Sequence, residues 1–257
     1  MHNESLSLKK MYKSSWGVAG GLYGTLILLS STLLYRGFSL IKQPLSDLGW
    51  GDHPCSILIF RIGVPTLAIP LIPYILFLDR TLSETKRCDR LRKLAFACSL
   101  ACLGGLWTVT VFNDPRTDYF YFHTFGGAIL FVFGCVLVGL YSLALVLSRT
   151  LVHKFQMCWS GLCVLLGICL LANTFPVILE HDVFGLLASL RNASTVTQRQ
   201  YIEERITEKA KWFPLVEWMF CYALCLWFYI TGVCTYSIEK KKEDGVVFVV
   251  GGNNSNN

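Results

Sequence analysis

Asp47, Asp52, His53, Arg61, Asp114, Asp118, His123, Glu180, His181, Asp182 and Glu217 stand in or beside long apolar stretches of this chain. Carboxylates and histidines at membrane depth are costly to desolvate, so each is a functional candidate by default. Two kinds of chemistry suit them. In one, Asp47, Asp114 or Asp118, His123 and His181 converge to hold a divalent metal, or serve as base and acid on a lipid substrate. In the other, Ser46, Asp47, Arg61, His123 and Glu217 line a ligand-binding site without catalysis. A plainer reading competes with both. Ser46 and Asp47 suit a turn before Leu48-Gly49, Asn113-Asp114-Pro115 is an ordinary turn string, and Asp118 stands where a helix N-cap belongs. No HExxH, paired HxxxH, GxSxG or phosphate-binding glycine loop is present. No motif assigns a metal ligand or calls for a cofactor.

The elements that must position these residues follow from composition. Hydrophobic residues make up 53% of the 257, charged residues 16%, and the mean hydropathy is +0.49. A soluble globule needs roughly a quarter of its residues charged. The charges also gather in short patches between apolar runs of about 17 to 28 residues, the length that crosses about 30 Å of hydrocarbon as a helix. The expected fold is therefore all-α, a polytopic integral membrane bundle of about six transmembrane helices. Spans are expected near Trp16–Tyr35, Cys55–Leu78, Leu94–Phe112, Phe120–Leu147, Phe155–Leu179 and Phe213–Tyr236. Pro65, Pro70 and Pro73 should kink or partly unwind the second. Gly20 and Gly24 have the GxxxG spacing of a close-packing face in the first. The polar, lysine-bearing N-terminus before a run this long reads as a signal anchor.

Fourteen of the 23 lysines and arginines fall in the N-terminus, the 79–93 loop, the 148–154 link and the tail, against nine on the other side. The positive-inside rule therefore places both termini in the cytosol. The expected organisation is a cytosolic N-terminus over 1–15, a transmembrane domain over 16–236 and a disordered cytosolic tail over 237–257. Within the domain, the lumenal loop 180–212 carries an amphipathic helix, and Asn192-Ala193-Ser194 is a glycosylation sequon on the lumenal side.

The net charge of +6 is spread along membrane flanks, with no basic tract or aromatic-interleaved groove for nucleic acid. Most of the 11 cysteines lie inside apolar segments and behave as small hydrophobes. Cys98/Cys102 and Cys221/Cys225 have helical spacing without the companions of a zinc site. Cys88, beside Arg87 and Arg90, is a candidate for palmitoylation.

Two short strings resemble a known group of proteins. Pro44-Leu45-Ser46-Asp47-Leu48-Gly49 is followed by Phe60 and a glycine-containing span, and His123-Thr124-Phe125-Gly126-Gly127-Ala128 opens the fourth span. Both are similar to signatures of the six-helix family catalogued as domain of unknown function 998, and of the Frag/DRAM/Sfk group. The long 180–212 segment departs from the compact loops of the first. The resemblance implies a membrane-resident protein without established enzymology, from a group associated with lipid-anchor remodelling, lipid organisation and lysosomal autophagy control. It also implies that Asp47 and His123 belong to one lumenal site. The leading functional expectation is a non-enzymatic lipid-binding or membrane-regulatory protein of endomembrane or plasma membrane, with membrane lipids as partners. A metal-dependent lipid hydrolase is the alternative. A transporter ranks third, because no internal repeat is visible. No feature of the sequence points to a particular protein partner.

Overall fold

The computed structural model describes residues 13–83, 88–113, 120–148, 154–180 and 212–243. These residues form α1 (Ser15–Leu34), a 3-10 turn (Leu45–Gly49), α2 (Pro54–Thr66), α3 (Ala68–Ser83), α4 (Asp89–Val111), α5 (Phe120–Leu147), α6 (Lys154–Glu180) and α7 (Phe213–Glu243). With α2 and α3 counted as one, six helical segments are long and apolar enough to cross a membrane. In hydrocarbon every backbone N–H and C=O must be satisfied internally, and apolar runs of this length meet that demand as helices. The chain is an all-α, multi-pass integral membrane protein.

The second span breaks where its prolines predict. Pro65 cannot donate to the Arg61 carbonyl, and Pro70 cannot donate to that of Thr66. At the joint, the Leu67 N–H reaches the carbonyls of Gly63 and Val64 at 3.2 Å. The Thr66 hydroxyl lies 2.9 Å from the Ile62 carbonyl and 2.8 Å from that of Gly63, the back-bonding of a helical threonine that often accompanies a bend.

The helices close into a ring in which α1 packs on α7 and on the α2–α3 span, that span on α4, α4 on α5, α5 on α6, and α6 on α7. Two crossings are backbone-close because glycine faces the partner. A Cβ on Gly21 would lie 2.5 Å from the Cys225 carbonyl, and one on Gly232 would lie 2.5 Å from the Val18 nitrogen. The glycines of α1 are thus used within the chain: Gly21 against α7, Gly20 against Leu71 of α3, and Gly24 between Cys225 of α7 and Leu67. A Cβ on Gly126 would lie 2.7 Å from that of Thr108, so the small residues after His123 bring α5 onto α4.

One core, around Tyr74, Leu78, Leu137, Tyr141, Phe220 and Trp227, fills the half of the ring away from the 3-10 turn. A second, around Ile27, Leu48, Phe60, Val64 and Trp218, lies beneath the turn. Leu22, Leu26, Leu33, Leu58, Ile62, Val111, Phe125 and Leu165 point outward, as lipid-facing side chains should.

The link between the second and third spans is shorter than the 79–93 loop expected from its charges. α3 runs to Ser83 and α4 begins at Asp89. Arg92 clips the two helices, with Nη1 2.6 Å from Asp79 Oδ1 and Nη2 2.8 Å from Asp89 Oδ1. Cys88 is fully buried and its thiol donates to the Ala144 carbonyl at 3.4 Å, so it is not presented for palmitoylation. At the other end of the chain, α7 continues to Glu243, past the expected boundary at 236.

Candidate functional site

The segment joining α1 to α2 folds back over the mouth of the ring as a plug, built around the Pro44–Gly49 string. Asp47 N–H donates to the Pro44 carbonyl and Trp50 N–H to the Asp47 carbonyl, which closes the turn. The Trp50 indole adds a hydrogen bond to Asp47 Oδ1 at 3.0 Å. The Asp47 side chain therefore serves the turn, as the plainer reading of the sequence has it.

The plug's main chain is gripped by side chains from α7, α2 and the end of α4. Glu217 Oε2, on α7, accepts from the Leu45 N–H at 2.9 Å. The neighbouring Trp218 indole donates to the Gln43 carbonyl at 3.2 Å. Asn113, at the end of α4, donates from Nδ2 to the Ser46 carbonyl at 2.8 Å. From α2, Ser56 donates to the Leu48 carbonyl at 3.1 Å and Arg61 Nε to the Gly49 carbonyl at 2.8 Å. Arg61 Nη2 also reaches the Asn113 carbonyl at 3.4 Å. At the end of α1, the Tyr35 ring lies 4.0 Å from that of His53 and 5.2 Å from Phe38, which in turn meets Trp218 edge-on. Burial, then the Asp47 carboxylate, raises the Tyr35 phenol above the usual tyrosine range, with Asp52 adding to this and a hydrogen bond from Gln43 opposing it. Tyr35 therefore stays a neutral partner at physiological pH.

Gly49 is where the plug lies flattest on the bundle. A Cβ there would lie 1.9 Å from Asn113 Nδ2 and 2.8 Å from Phe60 Cδ1. The final glycine of the string is thus required by the close approach of α4.

The candidate residues named from the sequence divide accordingly. Ser46, Asp47, Arg61 and Glu217 all belong to the plug and its grip. His123 is buried on α5 and pairs through Nδ1 with the Val109 carbonyl of α4 at 2.8 Å. Asp114, Asp118, His181 and Asn192 lie outside the described residues. Among those described, no group of three His, Cys, Asp or Glu side chains is arranged to hold a metal. Asn113 was legible only as a turn residue, and Gln43, Ser56 and Trp218 carried no signal. Their partners are main-chain atoms, which the sequence does not distinguish.

Beneath the plug lies a cavity of about 90 Å³, lined from α1, α2, α3, α4, α5 and α7 and roofed by Leu45. Its wall is almost wholly apolar, with Ile27, Val64, Leu71, Leu106 and Phe228 among the lining and Ser99 at one side. The Ser99 hydroxyl is turned back to the Ala95 carbonyl at 2.8 Å. Such a wall offers water no set of partners, so the cavity is a dry one. Cys102, Cys221 and Cys225 also line it, and every described cysteine is a free thiol. No protein-family model, no curated protein and no solved structure matches this chain.

Proposed function

We propose that the protein is a non-enzymatic lipid-binding membrane protein that takes hydrocarbon into the cavity under the plug. The observation that carries this reading is an apolar void in the middle of an otherwise well-packed ring. Lining atoms beside an empty apolar space lack contacts that a hydrocarbon ligand would supply. The volume falls short of the roughly 150 Å³ of an engineered cavity that takes benzene. The end of a flexible chain suits it better than a fused-ring lipid. A metal-dependent hydrolase has no ligand cluster among the described residues to support it.

The test is to purify the protein in mild detergent and quantify tightly held lipid by mass spectrometry, beside a Leu106→Trp variant that fills the cavity. Acyl-chain lipid held at a fixed ratio and lost in the variant supports the reading. Equal lipid in both, or none in either, overturns it. A metal assay on the same samples addresses hydrolysis: stoichiometric metal, lost on Asp47→Asn/His123→Ala, moves the assignment to that reaction.

A further inference from the structure

The ends of the cavity are shut. Toward the plug, Leu45 closes it, with its own N–H held by Glu217 and the adjoining main chain held by Asn113, Ser56 and Arg61. Toward the other end, Tyr74, Leu78, Leu82, Leu137, Tyr141 and Trp227 form a layer in which no side chain is more than 2% exposed. On the far side of the ring the walls are cross-tied. Ser142 donates to Ser160 at 2.8 Å, the Trp227 indole to Ser160 at 3.0 Å and the Trp159 indole to the Ala223 carbonyl at 3.1 Å, which joins α5, α6 and α7.

The seam between α1 and the α2–α3 joint is different. Here α1 turns Gly20 and Gly24 to the cavity, and its only lining side chains, Ile27 and Leu28, lie further along the helix toward the plug. The wall is Leu71 and Leu67: a Cβ on Gly20 would meet Leu71 at 2.8 Å, and one on Gly24 would meet Leu67 at 3.3 Å. Leu67 is the residue at which the proline-rich span breaks, where amide hydrogen bonds that would stiffen a helix are missing. Just outside, Tyr23 and Thr66 share a hydrogen bond of 2.8 Å between their hydroxyls. The pair sits near the middle of both spans, and Tyr23 is 39% exposed on the outer surface of the bundle. A phenol facing hydrocarbon is costly unless it has a partner, and here the partner spans the seam.

We infer that the cavity is entered side-on from the bilayer, between α1 and the α2–α3 joint at Tyr23 and Thr66, and that its occupant is the tail of a membrane lipid. This rests on the cavity being a binding site. It adds the route and the lipid's posture: the headgroup stays in its leaflet while the tail bends in past Leu67 and Leu71. The Tyr23–Thr66 pair holds the seam, and the proline joint supplies the movement that opens it.

The experiment reconstitutes the full chain in nanodiscs of phosphatidylcholine carrying a photoreactive diazirine at the end of one acyl chain. After photolysis, adducts are mapped by peptide mass spectrometry, and the rate at which bound lipid exchanges with deuterated lipid is followed. Adducts are expected on Leu67 or Leu71 and on the Cys221–Cys225 stretch. Tyr23→Phe/Thr66→Val, which removes only hydroxyls, should speed exchange several-fold. Asn113→Ala, which loosens the plug, should leave it unchanged. Faster exchange in Asn113→Ala alone overturns the side entry in favour of entry through the plug. Adducts in the cavity with neither variant altering exchange also overturn the proposed seam. Absence of adducts from every cavity-lining residue overturns the binding reading itself, and the two failures are thereby distinguished.

Discussion

Gly49 and Glu217 show how single side chains hold the plug. A methyl group on Gly49 has Asn113 Nδ2 within 1.9 Å, and Asn113 is itself committed to the Ser46 carbonyl. Gly49→Ala should therefore cost about 1–3 kcal/mol, the usual penalty of overpacking, read as a lowered melting temperature in detergent. Gly104→Ala is the control, since nothing lies within 4 Å of its added Cβ, and it should be neutral or slightly stabilising. Glu217→Ala leaves the buried Leu45 N–H without its acceptor and should cost about 1–3 kcal/mol. Glu217→Gln keeps an oxygen in place and should lose less in the same melt. Equal losses for the two Glu217 variants would show that the hydrogen bond does not hold the plug. Charge type marked Asp47 and Glu217 as candidates, and the turn string suggested the bond of Asp47, but nothing in the sequence pointed to the partner of Glu217. Each is partnered within the plug, and Glu217 meets a main-chain N–H that could belong to any residue.

Helix crossings set the next level. Where α1 meets α7, the Gly21 Cα faces the Cys225 carbonyl, with no space for a side chain. Gly21→Leu should separate the two helices and give misfolded or aggregated protein by size-exclusion chromatography. Gly161→Leu on α6, with nothing within 4 Å, should elute as the native protein does. A normal elution profile for Gly21→Leu would show that the backbone contact is dispensable. The Arg92 clip makes a milder prediction. Arg92→Ala removes two charge-assisted bonds, to Asp79 and Asp89, and should lower the melting temperature only modestly, because the partners are partly exposed and solvent screens them. Asp79→Asn should lose only part of this. The spans were legible to within a few residues at most ends, because uncharged runs of that length have few alternatives in hydrocarbon. The start of α4 was less so. Charge density marked 89–93 as loop, whereas in the structure Asp89 pairs along the helix with Arg92 and Lys93, and Arg92 also reaches Asp79 on α3.

At the scale of the molecule, the described residues hold six spans, and an even number of crossings predicts both termini on one side of the membrane. Epitope tags at the two ends should be equally accessible to protease in sealed vesicles and, by the charge bias, on the cytosolic face. Opposite accessibility would require an odd number of spans. In a glycosylating host, Asn192→Gln should abolish a glycosidase-sensitive mobility shift if the 180–212 segment is lumenal.

Membrane class, the number of spans and the break in the second are properties of local composition. Hydrophobicity and proline act on the few residues around them, so the sequence by itself determined these. The plug and the cavity beneath it arise where residues far apart in the chain meet. Leu45 is held by Glu217, Ser46 by Asn113, and the cavity is lined by residues from α1, α2, α3, α4, α5 and α7. Such juxtapositions depend on helix order, rotation and depth. Only the tertiary structure decided them, and with them where a lipid tail would lie.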